Sequence, residues 1–247
     1  MAKKTKKPFY GLVALVSSIV IAVTFIIVGI LVFFFYSNLL GIIIFCIGLY
    51  SLSSYLVSIY LINPFKSLDL PNILELKGDE IVLDVGCGLG RATMGAAKLL
   101  STGKVIGVDI WDRLEIPGNS QEKAYENADI EGVKEKVEFR FGDVFNLPFN
   151  DNYFDAVICA GCISSFHNDE KKIKAMNEIR RVLKTNGIFY LREPTLKFKT
   201  FIVLTPSVFL IGLPTKNGWI KLLERTGFDN ISYYPHRIVG SYKMIKT

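Results

Sequence analysis

The sequence lacks charge over a long stretch near its N-terminus. From Pro8 to Phe65 there is no Asp, Glu, Lys, Arg or His, and no acidic residue occurs before Asp69. Because a soluble domain carries charged side chains along most of its surface, this absence excludes an ordinary soluble fold for this part of the chain. The remainder has an ordinary soluble composition and is long enough for one domain with its own core.

Cysteine and histidine are also scarce, with four and two residues respectively. Cys159 and Cys162 form a C-x-x-C pair, but a zinc site needs further ligands at matching spacing, and only Cys46 and Cys87 remain. We therefore expect no metal site. Free thiols in a reducing compartment are favoured over a redox or thiol-chemistry role for the pair.

Positive charge exceeds negative charge only because of a short basic tail. The formal net charge is +6, and four of these charges come from the tail at residues 1–8 (Lys3, Lys4, Lys6 and Lys7). The rest of the chain has a net charge close to zero, whereas a nucleic-acid-binding face is strongly basic. The charge distribution therefore excludes that class of function. Basic residues beside an apolar span are typical of the cytoplasmic side of a membrane.

The uncharged region, residues 9–65, is long enough for two membrane-spanning helices, each of which needs about 20 apolar residues. We predict spans at about 11–36 and 39–62, joined by a turn at residues 36–38 and ended by Asn63-Pro64. A cleaved signal peptide is the main alternative, but the apolar region is too long for one. The basic tail and Lys66 predict an integral membrane protein with both termini and the following domain on the cytoplasmic side.

Small residues recur in the predicted spans, among them four serines of the second span (Ser51, Ser53, Ser54 and Ser58). Packing between helices is the favoured interpretation, and contact with a substrate is the alternative.

Residues 66–247 alternate strand-like and helix-like segments. Strand-like runs lie at 81–85, 104–110, 137–144, 154–160 and 187–193, with helix-like segments at 91–100, 121–132, 169–183 and 218–228. This order predicts an α/β fold with an open, mostly parallel sheet covered on both faces. Two further strand-like runs follow the last helix, at 230–236 and 240–247. They are joined by too few residues for a crossover helix, so one of them should be antiparallel.

Three glycines at alternate positions follow the first strand, in VGCGLGR. Gly86, Gly88 and Gly90 permit backbone N–H groups and a helix N-terminus to face a ligand without an intervening Cβ, although a plain strand–helix turn would also use them. Asp109 and Asp143 lie at the ends of the next two strands, and Asp84 lies within the first. Carboxylates at successive strand ends favour a nucleoside cofactor, because they accept hydrogen bonds from ribose hydroxyls. The spacing differs from the G-x-G-x-x-G of dinucleotide-binding folds.

Four segments of the sequence resemble the successive signatures of class I S-adenosylmethionine-dependent methyltransferases: VLDVGCGLGR, VIGVDI, GDVFNLPFNDNYFDAVI and EIRRVLKTNGIFYLRE. The resemblance is closest to the enzymes of this class that methylate quinones and sterols. The resemblance covers residues 78 to about 193. It implies a Rossmann-like seven-stranded sheet with an antiparallel last strand, here preceded by a transmembrane α-helical hairpin that is not part of the usual pattern.

The resemblance also implies S-adenosylmethionine as cofactor and a set of cofactor-binding residues. In the order of the chain these are Asp84, Val85, Gly86, Cys87, Gly88, Gly90, Asp109, Ile110, Trp111, Gly142, Asp143, Val144, Cys159, Ala160 and Gly161. The residues from Asp84 to Gly90 would surround the methionine part and the ribose of the cofactor. Asp109 would bind the ribose diol, and Ile110 and Trp111 would lie beside the adenine. Asp143 would meet the adenine amino group and Val144 its ring, while Cys159–Gly161 would lie beside the sulfonium and begin the acceptor site.

Few residues suit acid–base chemistry at such a site. His167, after the fourth strand, is the candidate general base, and a loop or helix-capping histidine is the alternative. Glu193 would bind a polar acceptor group or pair with a neighbouring cation. An apolar insertion at about 196–217 is too short to span a membrane, and we interpret it as a lid that dips into the bilayer rather than as a buried loop.

The leading hypothesis is therefore a membrane-anchored methyltransferase of a lipophilic acceptor, such as a quinone, isoprenoid or lipid, at the cytoplasmic membrane face. Its expected partners are S-adenosylmethionine, that acceptor and the bilayer. One alternative is a tethered methyltransferase of a soluble small molecule or a protein. Another is a membrane sensor or scaffold that binds the cofactor without turnover.

Overall fold

The computed structural model describes residues 6–12, 15–204 and 212–247. Two long helices come first, α1 (Leu15–Phe35) and α2 (Asn38–Ile62). They form an antiparallel pair in which the backbones approach closely at three glycines: a Cβ at Gly29, Gly41 or Gly48 would lie within 3 Å of the other helix. The glycines of the two predicted spans thus pack between helices.

Most apolar side chains of α1 and α2 are exposed rather than buried in the protein. Both helices are long and apolar enough to cross a membrane, by length and composition. At 1.5 Å per residue they measure about 31 and 37 Å, close to the thickness of a hydrocarbon core. Ser37 caps the start of α2, and Asn63 ends it in a left-handed conformation (φ 52°).

A seven-stranded sheet forms the centre of the remaining chain. Its strands are β1 (Ile81–Val85), β2 (Lys104–Asp109), β3 (Val137–Phe141), β4 (Phe154–Ala160), β5 (Leu183–Pro194), β6 (Ser232–His236) and β7 (Val239–Ile245). The order is β3-β2-β1-β4-β5-β7-β6. β1 to β5 are parallel, and β7 is antiparallel to both β5 and β6, which confirms the predicted antiparallel strand.

Helices cover both faces of this sheet. They are α3 (Pro71–Leu74), α4 (Arg91–Ala97), α5 (Gln121–Ile130), α6 (Asp169–Val182), α7 (Phe198–Leu204) and α8 (Lys216–Arg225). α4 ends three residues before the predicted boundary, because the next residues turn so that three successive N–H groups, at 101–103, bond to the carbonyl of Gly78. One buried cluster lies beneath α6 and α8 around Trp219, and the other beneath α4 and α5 around Met94.

The segment before α1, residues 6–12, folds back onto the domain, and we refer to it as the strap. Tyr10 is buried, its N–H donates to the Pro64 carbonyl at 2.8 Å, and its hydroxyl donates to Glu131 at 2.7 Å. The backbone of Phe9 makes two hydrogen bonds with the side chain of Asn127 on α5, at 3.0 and 2.9 Å. From the sequence, residues 6–8 are expected in the basic tail and residues 9–12 in the hairpin, whereas in the structure residues 6–12 are part of the packed domain and precede α1.

Candidate functional site

The loops that follow β1, β2 and β3 meet at the carboxyl edge of the sheet. The carbonyl of Val108 accepts the N–H groups of Gly86 and Cys87 at 2.9 and 3.1 Å, and the Asp109 carbonyl accepts that of Gly142 at 3.1 Å. These bonds bring most of the predicted cofactor residues to one place. Ligands of open parallel sheets bind at this edge, next to the point where the strand order reverses.

Asp109 organises the middle of this site. Its two carboxylate oxygens accept the N–H groups of Gly88 and Trp111 at 2.8 and 2.6 Å, and the Trp111 indole donates back to the Gly88 carbonyl at 3.2 Å. Burial raises the pKa of Asp109, while these N–H groups act in the opposite direction. The carboxylate retains lone pairs for a ligand, since each of its oxygens accepts one of these bonds.

The glycine loop is shaped by two close approaches. Gly86 has φ +69°, and a Cβ there would lie 2.5 Å from the Cβ of Cys162, in the loop after β4. Gly88 has φ +51° and faces the side chains of Ile116 and Asn119 across a small gap. Gly86 thus allows the loops after β1 and β4 to approach each other, and Gly88 leaves the backbone of the glycine loop accessible at the site.

Asn119 is a site residue that the sequence analysis missed. It lies in the loop after β2, its side chain is buried, and its Oδ1 has no hydrogen-bond partner among the described residues. A buried polar atom without a partner is uncommon in folded proteins, and such an oxygen is suited to accept a hydrogen bond from a ligand. An amide oxygen next to Gly88 and Asp109 fits the hydroxyl donors of a nucleoside ribose. No sequence motif marks this residue, because its position depends on how the loop folds.

Asp84 does not present its carboxylate alongside Asp109 and Asp143. It is buried, and its Oδ2 accepts the hydroxyl of Thr93 on α4 at 2.6 Å. Burial raises its pKa to about 7. Val85 lies in the core beside it. The predicted cofactor contacts of these two residues remain predictions, and what the structure shows is a link between β1 and α4.

The remaining predicted residues lie along the same edge. Asp143 is exposed and accepts the Phe145 N–H at 2.9 Å, Val144 is buried, and Ile110 is exposed. Cys87 and Cys159 are buried thiols, and all four cysteines are unpaired. Gly90 caps α4, Ala160 ends β4, and Gly161 follows with open space around its Cα. Within the described residues, no group of three His, Cys, Asp or Glu side chains could hold a metal ion.

Glu193 holds the loop after β4 in position. It is fully buried, and its carboxylate accepts the N–H groups of Cys162, Ile163 and Ser164 at 3.0, 2.8 and 3.4 Å. Burial raises its pKa to about 7. Among the described residues it contacts the backbone of this loop and the Ser164 side chain rather than a cation, so it serves as a cap for this loop.

His167 lies at the outer end of the same loop. It is exposed, and its Nδ1 lies 3.2 Å from the Ser165 carbonyl. Ser165 donates to Glu115 of the loop after β2 at 2.6 Å, so the two loops meet over the site. The position at the carboxyl edge is compatible with the predicted role as a base, which remains a prediction.

The base of the α1–α2 pair lies against this edge. Arg91, directly after the glycine loop, donates to the carbonyls of Ile62 and Lys66, the latter at 3.0 Å. Arg237, between β6 and β7, donates to the Leu61 carbonyl at 2.9 Å. α7 packs along α2, where Tyr50 and Ser54 donate to the carbonyls of Ile202 and Val203. The predicted lid lies only partly within the described residues, because 205–211 are outside them.

Comparisons with known proteins agree with this geometry. Residues 76–205 match the protein family described as "Methyltransferase domain". A probable methyltransferase of Aspergillus luteorubrus is 34% identical over 119 residues, which are 48% of this chain and 41% of that protein. A demethylmenaquinone methyltransferase of Symbiobacterium thermophilum is 36% identical over 126 residues, 51% of this chain and 46% of that protein. The chain spans less than half the length of these two relatives.

Solved structures show the same fold. A SAM-dependent methyltransferase of Methanosarcina mazei superimposes with a TM-score of 0.57 at 21% sequence identity, covering 73% of this chain and 98% of the other. At this identity the likeness concerns the fold alone. It confirms the Rossmann-like seven-stranded sheet with the antiparallel strand near its end.

Proposed function

Because the chain belongs to the methyltransferase domain family, with S-adenosylmethionine as its methyl donor, we propose that it methylates a lipophilic acceptor taken from the cytoplasmic face of a membrane. The observation that carries this proposal is the position of the carboxyl edge of the sheet. Arg91, Arg237 and α7, all at this edge, contact the base or the length of α2. An acceptor that leaves a bilayer beside the hairpin would reach the site without crossing water.

Insertion of the hairpin in a membrane is supported by exposure and by hydrogen bonding. A core helix of a soluble protein is mostly buried, whereas α1 and α2 expose most of their apolar side chains. Tyr50 and Ser54 supply donors to carbonyls near the end of α7, as backbone in an apolar environment requires. The lysines of the tail and Lys66 favour a cytoplasmic location for both ends and for the domain at residues 66–247.

The residues that fit the cofactor are Asp109, Asn119, Trp111 and the backbone of the glycine loop. When bound, S-adenosylmethionine supplies a methyl group on a sulfonium, which is already a strong electrophile. The main task of the protein is then to align the acceptor with that group. Glu193 fixes the loop at 162–164, and the Ser165–Glu115 contact holds it over the site, which limits access by water.

The acceptor class rests on the membrane position and on one relative. The Symbiobacterium protein is named for a demethylmenaquinone, a lipophilic ring compound. We propose an acceptor of this kind, a quinone, isoprenoid or lipid. His167 would take the proton in a reaction that requires a base.

The test follows the methyl group. Membranes that contain the full chain are incubated with S-adenosylmethionine labelled in its methyl group and then extracted with organic solvent. We expect label in the organic extract, and mass analysis of the product identifies the methylated atom. Membranes with the Asp109→Ala variant serve as the control and should give little label.

The two alternatives predict different outcomes of the same experiment. Label confined to the aqueous or protein fraction would contradict the lipophilic acceptor and support a tethered enzyme with a soluble or protein acceptor. Binding of the cofactor with no labelled product in any fraction would support a sensor or scaffold.

A further inference from the structure

Three arginines and a histidine meet where the hairpin joins the domain. Arg91 begins α4, Arg192 lies near the end of β5, His236 ends β6, and Arg237 follows it. A guanidinium nitrogen of Arg192 lies 3.3 Å from Nδ1 of His236. We refer to these four residues as the arginine cluster.

No carboxylate neutralises this cluster. Within residues 6–12, 15–204 and 212–247, none of its three arginines has an Asp or Glu oxygen within 4.0 Å, whereas Arg140 pairs with Glu138 and Arg181 pairs with both Asp151 and Glu178. The positive charges also act on each other: burial and then Arg192 lower the pKa of Arg91 to about 10, and burial and then Arg192 lower that of His236. Unpaired like charges held together are unfavourable unless an anion joins them.

Capping of α2 accounts for only part of the cluster. Arg91 and Arg237 donate to the last carbonyls of α2, which is a usual role for cations at a helix C-terminus. Arg192 makes no such contact. Its side chain is bonded to His236 and, like that of Arg237, it retains most of its five N–H donors. A guanidinium fork with free donors matches the oxygens of a phosphate.

The position of the arginine cluster favours the phosphate of a membrane lipid as its ligand. The cluster lies at the end of α2 on the side of the domain, the level at which headgroups meet water if α2 crosses a bilayer. It is also next to the candidate acceptor site, because the Arg192 carbonyl accepts the N–H of Gly161 at 2.9 Å. We propose that Arg91, Arg192, Arg237 and His236 form a binding site for the phosphate group of a membrane lipid beside the acceptor entrance. This inference rests on the proposed membrane insertion but not on methyl transfer.

Binding of a short-chain lipid to the full chain in neutral detergent tests the site. Dioctanoyl phosphatidic acid is titrated by calorimetry, with dioctanoyl phosphatidylcholine and inorganic phosphate in parallel. We expect saturable binding of the phosphatidic acid and at least roughly tenfold weaker binding by the Arg192→Gln/Arg237→Gln variant, since each loses charge-assisted hydrogen bonds. Lys199→Gln removes one exposed positive charge within α7 and should leave the affinity unchanged.

Several results would overturn the site. Equal affinity of the double variant and the parent chain would contradict it, as would an equal loss in Lys199→Gln, which would indicate general charge attraction. Equally tight binding of inorganic phosphate would exclude a lipid as the ligand. Weaker binding of S-adenosylmethionine by the variant would assign the arginines to the cofactor instead. The single variant Arg192→Lys, which keeps the charge but not the fork, should bind the lipid with intermediate affinity, and its thermal midpoint without lipid checks folding.

Discussion

At the scale of single residues, Asp109 has two tasks that one carboxylate performs together. It holds the glycine loop through Gly88 and the following loop through Trp111, and in the proposed site it would also contact the cofactor. Loss of this side chain therefore affects both a ligand contact and the shape of two loops.

We expect Asp109→Ala to weaken S-adenosylmethionine binding by roughly tenfold or more, because hydrogen bonds to a charged group are among the stronger ones. Isothermal calorimetry on the purified full chain measures the dissociation constant. Asp112→Ala is the matched control, since Asp112 lies in the same loop and is exposed. An unchanged affinity in Asp109→Ala would show that the site assignment is wrong.

Asp84 should make stability depend on pH. In the folded protein its carboxyl keeps its proton up to about pH 7, whereas the unfolded chain loses it near pH 4. The folded state holds the extra proton between these values, so the free energy of unfolding falls as pH rises through this window. Asn cannot ionise, and Asp84→Asn should remove this part of the slope.

The measurement is the thermal midpoint of the parent chain and of Asp84→Asn at pH 5 and pH 8. Relative to the parent, the variant should be less destabilised at pH 8 than at pH 5. The difference between the two chains is the informative quantity, because Glu193 titrates in the same range in both. A pH-independent difference would contradict the raised pKa.

At the scale of elements, the strap and α5 connect the start of the helical hairpin to the glycine loop. The Asn127 side chain bonds the backbone of Phe9 on one side and the carbonyl of Leu89 on the other, at 3.0 Å. Gly11 lies against Ile116 and Leu89, which also belong to the loops of the site. An element before the hairpin thus supports a loop after it.

Asn127→Ala should therefore weaken cofactor binding by several-fold, because it releases the glycine loop from α5, with each neutral hydrogen bond worth about 1 kcal/mol. Calorimetry gives the dissociation constant, and Lys123→Ala, an exposed change on the same helix, is the control. Equal affinities of the two variants would mean that the loop keeps its shape without this link.

The sheet was predictable because its signals are local. An apolar run predicts the strand that it forms, and the glycines and the aspartate at the end of β2 predict the loops in which they lie. β1, for example, has the predicted bounds. The strap and the arginine cluster could not be predicted in this way. Phe9 and Asn127 are 118 residues apart, and Arg237 and Leu61 are 176 apart, so their contacts depend on the whole fold.

At the scale of the whole molecule, these contacts change what a truncation should do. If the first 62 residues served only as a membrane anchor, their deletion would leave cofactor affinity intact. The deletion also removes the strap, however, and with it the support of the glycine loop. A cleaner variant replaces residues 15–62 with a short Gly-Ser linker, which is possible because Tyr10 and Pro64 are hydrogen-bonded at 2.8 Å.

We expect the linker variant to keep its affinity for S-adenosylmethionine and to lose turnover of a membrane acceptor, whereas the 1–62 deletion should lose both. Calorimetry and the organic-extract assay give the two quantities. Equal turnover by the linker variant and the full chain would show that the hairpin is not required for turnover and serves only to locate the enzyme. Equal affinities of the two truncated chains would exclude a role for the strap.

The hydrogen bond between Tyr10 and Pro64 also has a consequence for biogenesis. It closes the hairpin into a loop whose two ends meet beside the glycine loop, and every strand of the sheet follows this loop in the chain. If the hairpin inserts in a bilayer as proposed, this hydrogen bond places the strap at the membrane surface, where the glycine loop folds against it. The domain would then reach its complete structure only beside the membrane.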